Sequence, residues 1–421
     1  MAGKTMNRCS MLFYVAAVAL TPVGVASKFM LGATSSTWID PSLLLSLAAL
    51  LALLPCWEDF LEDELRPVLA AVALVFLASL LSTLSGLLLR PPETLYSVLR
   101  EPLRLWLNLA WFVASVWFLR HRPRVVVIGS ILAVMFALGA GIYLELAAVN
   151  LVPAPELAAS YARAYLARQT LWFHGIPLLR MGGLFFEAPP FGLFMFAQFV
   201  VLSLLRETGR YRRWSTASLI SAALGLLFSL SDQALIAGAV GLFSGLSSMR
   251  KKRMVITWSI AAIAIVVLCA FEFETLAVKQ VSSTAGIVSW INGGSVGERD
   301  FHLQYGLSVL GAHPTATFFG IGPGRYGEYA AESGDFPDTV SIQTSEMEIL
   351  VEWGAVGLGL WLLLLWYLAT RGFQLHGVLG LGLLAGLLIA DSFQANWKHQ
   401  AVFLAVAVLI VPRRGMKELA A

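Results

Sequence analysis

The stretch PVLAAVALVFLASLLSTLSGLLL, residues 67–89, contains no charged side chain. It is long enough to cross a hydrocarbon layer of about 30 Å as an α-helix. Comparable apolar runs recur from one end of the chain to the other, and short polar breaks separate them. A transmembrane barrel would instead alternate polar and apolar residues along its strands. The stretch therefore indicates a helical protein that crosses a membrane many times.

The composition of the whole chain leads to the same class. Of its 421 residues, 58% are hydrophobic and only 13% are charged, a balance that a single soluble core of ordinary size does not have. Cys9, Cys56 and Cys269 are scattered without metal-ligand spacing, so neither a disulfide framework nor a cysteine metal site is indicated. The N-terminus resembles a signal peptide, but no small-residue cleavage site follows before Lys28. We therefore expect a retained first helix.

The apolar runs predict an all-α fold with about twelve transmembrane helices. Basic clusters, among them RHRPR at 120–124 and MRKKR at 249–253, all fall on one side of this arrangement. Because basic residues are retained in the cytoplasm, we expect both termini to be cytoplasmic. The predicted spans lie near residues 11–30, 41–57, 67–89, 103–119, 125–148, 190–205, 215–231, 234–248, 254–272, 347–370, 377–391 and 399–412.

Two outward loops are much longer than the other connections, and long ordered loops usually carry function. They divide the chain into N-terminal helices (1–148), a first loop (149–189), central helices (190–272), a large loop expected to be catalytic (273–346) and C-terminal helices (347–421).

The first loop is predicted to contain an amphipathic helix on the membrane surface. Tyr161, Tyr165, Leu166 and Trp172 can share one face of such a helix. A structural lid and a lipid-contacting element are both open as its role.

The second loop contains GIGPGR, residues 320–325, which is similar to a phosphate-cradling glycine loop. A nucleotide-binding loop would need Lys followed by Ser or Thr after the last glycine, and neither is present. On the outer face, the phosphate that a membrane enzyme meets is the pyrophosphate of a polyprenol-linked sugar. The alternative for Gly320, Gly322 and Gly324 is a tight turn that binds nothing.

Three arginines of the outward loops are candidate pyrophosphate ligands: Arg180, Arg299 and Arg325. Guanidinium groups bind phosphate oxygens in a bidentate manner and stay charged at any relevant pH. Basic residues are disfavoured on the outer side, so their presence there needs a reason. Contacts with lipid headgroups, or ion pairs with Glu187 or Glu298, are the alternatives. Arg325 is the weakest candidate, because it follows a turn and could reach only solvent.

Two stretches resemble the O-antigen ligase and O-antigen polymerase superfamily of bacterial membrane glycosyltransferases. RMGGLFFEAPPFG at 180–192 is similar to the family's arginine-led stretch that opens a central span. RDFHLQYGLSVLGAHPTATFFGIGPGRY at 299–326 is similar to its arginine, helix, His-Pro and glycine sequence. QTSEMEILVEWGAVG aligns with the ligase motif and places Gly354 and Gly357 on its glycines. The resemblance covers about residues 180–370.

The sequence departs from the family at the residue proposed as the base. Gln343 stands where the ligase motif has histidine, and glutamine cannot take up a proton at neutral pH. Glu346 lies one helical turn further on, and Glu348 and His313 are further candidates for the base. Glu346 and Glu348 are also ordinary residues for the start of a helix, where negative charge is favourable.

The resemblance implies an inverting glycosyltransferase, with a GT-C-like fold, in the bacterial inner membrane and with a periplasmic active site. Its donor would be a glycan on undecaprenyl pyrophosphate. The acceptor would be a second lipid-linked glycan for an O-antigen or exopolysaccharide polymerase, or the lipid A core for a ligase. Polymerase is preferred because the ligase histidine is absent. The resemblance implies membrane lipids and a chain-length regulator protein as partners. It implies no nucleic acid, no cofactor and no metal ion. Asp335 and Asp338 are too loosely spaced to suggest a metal site.

A transporter or flippase of lipid-linked sugars is the alternative from a different class. It would use intramembrane arginines to guide an anionic headgroup, and it would have related halves with polar sites near the middle of the membrane. In this sequence the polar groups cluster in two outward loops instead. A catalytically inactive assembly partner is a third reading.

Overall fold

The computed structural model describes residues 2–23, 41–56, 65–90, 95–156, 170–173, 176–179, 181–185, 188–205, 212–248, 295–332, 345–392 and 399–411. The first helices are α1 (Ala2–Leu20), α2 (Pro41–Leu51), α3 (Arg66–Leu89), α4 (Leu95–His121) and α5 (Pro123–Ala148). The central helices are α6 (Ala188–Leu205), α7 (Arg212–Ser229) and α8 (Asp232–Ser248). The last helices are α9 (Ser295–Ala312), α10 (Pro314–Phe319), α11 (Tyr326–Glu332), α12 (Ser345–His376), α13 (Val378–Ser392) and α14 (Gln400–Ile410).

The helical class predicted from the sequence is confirmed. Among the described residues, five helices are long and apolar enough to cross a membrane: Arg66–Leu89, Val98–His121, Pro123–Ala148, Ala188–Leu205 and Glu346–His376. Shorter apolar helices cover Arg8–Leu20, Val378–Ala390 and Gln400–Ile410. The predicted span at 254–272 lies outside the described residues, and the count of twelve remains a prediction.

A short hairpin replaces part of the predicted amphipathic helix. Strand β1 (Thr170–Phe173) pairs antiparallel with β2 (Ile176–Leu179), and Trp172 lies opposite Pro177. Trp172 is therefore in a strand, and its assignment to a helical face is wrong; the β-branched and aromatic residues of TLWF favour extended backbone. Tyr161, Tyr165 and Leu166 lie outside the described residues.

Helix α3 buries small residues and exposes large ones, the reverse of a soluble helix. Its buried face is made of Ala78, Ser79, Ser82, Thr83, Ser85 and Gly86, whereas Leu74, Leu77, Leu81, Leu84 and Leu88 are exposed. Small residues let helix backbones approach closely in a membrane, and leucines on the other face suit lipid. This pattern explains how one apolar run supplies both a packing surface and a lipid surface.

The main core surrounds α6. Phe191, Phe194 and Phe196 have no exposed surface, and the helix is buried along almost its whole length. It packs against α5, α7, α8, α13 and α14. A helix that is apolar on every side is expected at the centre of a bundle.

A second core forms at one end of the bundle. Val309, Leu310, Ala316, Ile321 and Val351 belong to it, and Leu89 at the end of α3 packs on its edge. We call α9, α10, residues 320–325, α11 and the first part of α12 (345–353) the outer unit. It fastens to the end of α3 that the twelve-span arrangement places outside.

The opposite end of the bundle carries basic residues. Arg120 and Arg371 line one small cleft together with Leu65 and Ile410. The sequence placed both arginines on the same side, and the structure brings them together. Which compartment each end faces remains a prediction; we refer to the two ends as inner and outer on that basis.

Candidate functional site

The glycine loop, residues 320–325, has a backbone that other residues rarely adopt. Gly320, Gly322 and Gly324 have φ angles of +78°, +101° and +75°. A Cβ atom on Gly320 would lie 2.0 Å from the carbonyl oxygen of Glu352, and one on Gly324 would lie 2.3 Å from Cγ of Glu101. Glycine is needed here both for the left-handed backbone and for close approach.

Two backbone amides of the loop donate hydrogen bonds to carbonyl oxygens of α12. The N–H of Ile321 donates to the carbonyl oxygen of Val351 at 3.1 Å, and that of Gly322 donates to Glu352 at 3.0 Å. Both acceptors precede Gly354, where φ 71° and ψ −172° interrupt α12. A continuous helix would satisfy them with amides four residues on, so the loop replaces the bonds lost at the kink.

The end of α3 also forms hydrogen bonds with the glycine loop and with α12. Ser85 donates its hydroxyl to the carbonyl oxygen of Gly320 at 2.8 Å, and Ser82 donates to that of Glu352. Gly86 leaves room for Ile321, since a Cβ there would lie 2.3 Å from the Ile321 carbonyl oxygen. This geometry supports the tight-turn reading of the loop over the phosphate-cradle reading.

Arg325 is buried inside the outer unit rather than reaching solvent as the sequence suggested. Its side chain is 1% exposed. Nε and Nη2 donate to Oε2 of Glu328 at 3.0 and 2.8 Å. Nη1 donates to the carbonyl oxygens of Gly86 and of Arg90, the latter at 3.1 Å. The guanidinium therefore ties the glycine loop to the end of α3 and is occupied by protein acceptors.

The other two predicted arginines are only partly covered by the structure. Arg180 lies outside the described residues, but its neighbour Met181 is buried and donates its N–H to the carbonyl oxygen of Phe228 at 2.9 Å. Arg299 lies in α9, and its side chain is not described. Their role as pyrophosphate ligands remains a prediction.

The candidate bases lie on the outer unit. Glu346 is partly exposed in the first turn of α12, and Glu348 is 4% exposed. His313 precedes α10 and contacts the ring of Tyr329 edge-on, at 6.3 Å between centroids. Gln343 lies outside the described residues. The structure thus places Glu346, Glu348, His313 and Arg325 in one unit, without a contact that assigns the base.

Sequence reasoning missed three further arginines at the outer end. Arg90 donates to the carbonyl oxygen of Glu328 at 3.1 Å and lies 5.5 Å from the centre of the Tyr329 ring. Arg100 and Arg104 flank Glu101, at 3.3 and 3.9 Å, and their side chains are 41% and 39% exposed against 11% for the glutamate. The signal was available, because the connector after residue 89 is outward in the twelve-span arrangement and basic residues are disfavoured there.

An apolar groove begins beside this cluster. It is an open groove that lies between α3, α4, α12, α13 and α14. Its walls include Val75, Leu109, Trp353, Leu388 and Phe403. Along α12 it runs from Ile349 to Leu368, about 28 Å at 1.5 Å per residue, which is comparable to the hydrocarbon thickness.

Arg104 and His399 each precede, in the chain, residues that line the outer part of the groove. Arg104 directly precedes Leu105, the first residue of α4 in the wall. His399 is the N-cap of α14 and stands one turn before Val402 and Phe403, which line the wall. An apolar channel with a cation at its mouth suits an amphiphile that has an anionic headgroup.

The described residues contain no group of three His, Cys, Asp or Glu side chains that could hold a metal ion. Asp335 and Asp338 lie outside those residues. Neither a family model nor a curated protein matches the chain. The likeness of residues 180–370 to the ligase and polymerase superfamily therefore remains a prediction.

Proposed function

We propose that the protein is a membrane glycosyltransferase that uses a glycan linked to undecaprenyl pyrophosphate as donor. One observation carries the proposal: an apolar groove of membrane depth has Leu105 of α4 in its wall, and two exposed arginines, Arg100 and Arg104, precede that residue on the same helix. A polyprenyl chain fits an apolar channel of membrane depth, and a pyrophosphate at its head fits the guanidinium groups. The resemblance in the sequence supplies the reaction class.

In the proposed reaction, a hydroxyl of the acceptor sugar attacks C1 of the donor sugar from the side opposite the pyrophosphate. The new C1–O bond forms as the bond from C1 to the pyrophosphate oxygen breaks, so the configuration inverts. Negative charge grows on the leaving pyrophosphate, and fixed arginines stabilise it more in the transition state than in the ground state. Arg100 and Arg104 join Arg180 and Arg299 as candidates for that role.

The hydroxyl proton must pass to a base as the C1–O bond forms. Glu346 is the preferred acceptor, because it lies partly exposed in the first turn of α12, whereas Glu348 is buried. Gln343 would then hydrogen-bond the acceptor sugar rather than take its proton. Polymerisation of lipid-linked repeat units is the preferred reaction, and transfer to the lipid A core is the alternative.

One observation favours a second function, transport of lipid-linked sugars. Val68, Tyr367 and Ile410 border both the apolar groove and the inner cleft that contains Arg120 and Arg371. Cations therefore stand at both ends of the groove, as a path for an anionic headgroup would require. The outer unit, which carries the candidate bases at the outer end of the bundle, favours the transferase.

The test uses purified protein in detergent with undecaprenyl-pyrophosphate-linked repeat units. A transferase releases one undecaprenyl pyrophosphate for each repeat unit that it adds to the glycan. Arg104→Gln should slow release by roughly 100-fold, the order of loss for one transition-state donor. Arg122→Gln is the matched control, because Arg122 is exposed at the inner end.

Two outcomes would contradict the transferase. The first is that no undecaprenyl pyrophosphate is released when either a lipid-linked glycan or the lipid A core is the acceptor. The second is movement of the intact lipid between leaflets of proteoliposomes at a rate that Arg104→Gln and Arg371→Gln both lower. The second outcome would establish the transporter.

A further inference from the structure

The inner cleft combines basic and apolar side chains from different helices. Arg120 belongs to the last turn of α4 and Arg371 to α12, and both line the cleft together with Tyr367. Tyr367 and Arg371 are four residues apart, so they lie on the same face of α12. The other lining residues are apolar: Leu65, Val68, Val116, Ile410 and Val411. Two guanidinium groups from separate helices thus meet in a cleft whose walls are mostly apolar.

The cleft is continuous with the apolar groove. Val68, Tyr367 and Ile410 line both of them. Toward the outer end, the wall that α12 contributes continues from Tyr367 to Gly357 and beyond, and the separation of these two residues along the helix is about 15 Å at 1.5 Å per residue. That length is half of a hydrocarbon layer of about 30 Å. The inner half of the groove therefore has the depth of one leaflet.

This arrangement matches the parts of an anionic phospholipid. Guanidinium groups bind phosphate oxygens in a bidentate manner and stay charged. Each has five N–H donors, so an arginine can contact a protein acceptor and a phosphate oxygen at once. Basic pockets between transmembrane helices at the cytoplasmic side suit anionic headgroups. The ammonium group of phosphatidylethanolamine would bring a further positive charge beside the two arginines, whereas phosphatidylglycerol brings none.

We propose that Arg120 and Arg371 bind the phosphate of an anionic phospholipid from the inner leaflet, and that one acyl chain of this lipid lies in the inner half of the apolar groove. The lipid is a resident ligand rather than the donor of the reaction, so the inference does not depend on the proposed function. It also gives the two inner arginines a role other than passage of a substrate headgroup.

The experiment measures lipid binding to the detergent-solubilised protein by native mass spectrometry, with phosphatidylglycerol and phosphatidylethanolamine of equal chain length. Wild type should bind phosphatidylglycerol roughly 10-fold more tightly, because its headgroup has a net negative charge. Arg120→Gln and Arg371→Gln should each weaken that binding roughly 5-fold, the effect of one basic side chain near a lipid phosphate. Arg122→Gln is the matched control and should change nothing, because Arg122 is exposed at the inner end but is not part of the cleft lining.

A second pair of variants tests where the acyl chain lies. Ala71 of α3 lines the groove, whereas Ala73 is exposed on the same helix and is not part of the groove wall. Ala71→Phe should fill part of the inner half and weaken phosphatidylglycerol binding several-fold with both arginines in place. Ala73→Phe should bind as wild type does. The thermal midpoint without added lipid checks that each variant is folded.

Equal binding of both phospholipids by wild type would overturn the proposal, whatever the variants do. Loss of binding in the arginine variants with none in Ala71→Phe would overturn the placement of the chain in the groove and reduce the site to attraction at the surface. Tighter binding of undecaprenyl phosphate than of phosphatidylglycerol, with the same dependence on Arg120 and Arg371, would assign the cleft to a polyprenyl lipid and overturn the proposal. Release of undecaprenyl pyrophosphate is measured separately, so the first two outcomes leave the proposed function intact.

Discussion

Replacing Arg325 by lysine tests whether this residue stabilises the fold or binds substrate. Lysine keeps the positive charge but loses the planar fork that now reaches acceptors in different directions. Glu328 lies at one side of the guanidinium, and the carbonyl oxygens of Gly86 and Arg90 lie at Nη1. An ammonium group on the lysine chain cannot reach all of these acceptors from one position.

The magnitude follows from the bonds that are lost. A hydrogen bond that involves a charged group contributes about 1.5–3 kcal/mol. If lysine retains the Glu328 contact and gives up the bonds to both carbonyl oxygens, Arg325→Lys should cost about 3–6 kcal/mol. A typical protein has about 5–15 kcal/mol of total stability, so the outer unit should detach from α3 under mild heating.

The measurement is the thermal midpoint of the detergent-solubilised protein, together with its abundance in the membrane. Arg122→Lys is the control, because that side chain is exposed and a surface change of this kind usually stays within about 0.5 kcal/mol. A variant Arg325→Lys with normal midpoint and abundance but no glycan transfer would refute the structural role. It would return Arg325 to the list of pyrophosphate ligands.

Two further predictions concern the base and the orientation. Glu346→Gln should abolish polymerisation while lipid binding persists, since loss of a general base costs about 100-fold to 10,000-fold; near-normal turnover in that variant, with loss in Gln343→Ala, would shift the role to orientation of the acceptor. A cysteine at position 333 in place of Ser333 should react with an impermeant thiol reagent once the outer membrane is permeabilised, and labelling only after lysis of the inner membrane would invert the topology.

The sequence was sufficient to predict the helical class because apolar length alone decides it in a membrane. It also located several helices of the described residues to within three positions at both ends, as for 67–89 against Arg66–Leu89, but the first span, 11–30, was displaced from Ala2–Leu20. The kink at Gly354 was not predicted, since a glycine in an apolar run has several uses. Only the structure shows that Gly354 has a φ of 71° and that the backbone of Phe318 and Phe319 leaves no room for a Cβ there.

The candidate site was harder to predict, because it depends on which acceptors surround each arginine. From the sequence, Arg325 was equivalent to any arginine after a turn; its partners at Gly86 and Arg90 are more than 230 positions away. Arg104 and His399 are even further apart in the chain, and the sequence gives no spacing rule that would join them. Long-range contacts of this kind arise from helix packing rather than from a local pattern.

The attachment of the glycine loop has a mechanical consequence for the apolar groove. The loop bonds to α12 through Val351 and Glu352 and to α3 through Ser85 and Gly86, so it works as a clamp between two walls of the groove. The outer width of the groove is thereby fixed. Towards the inner end, α3 lines the groove with Val68, Ala71 and Val72. A lipid chain that enters from the bilayer would therefore pass sideways between α3 and α12 below the clamp, while its headgroup stays at the rigid end.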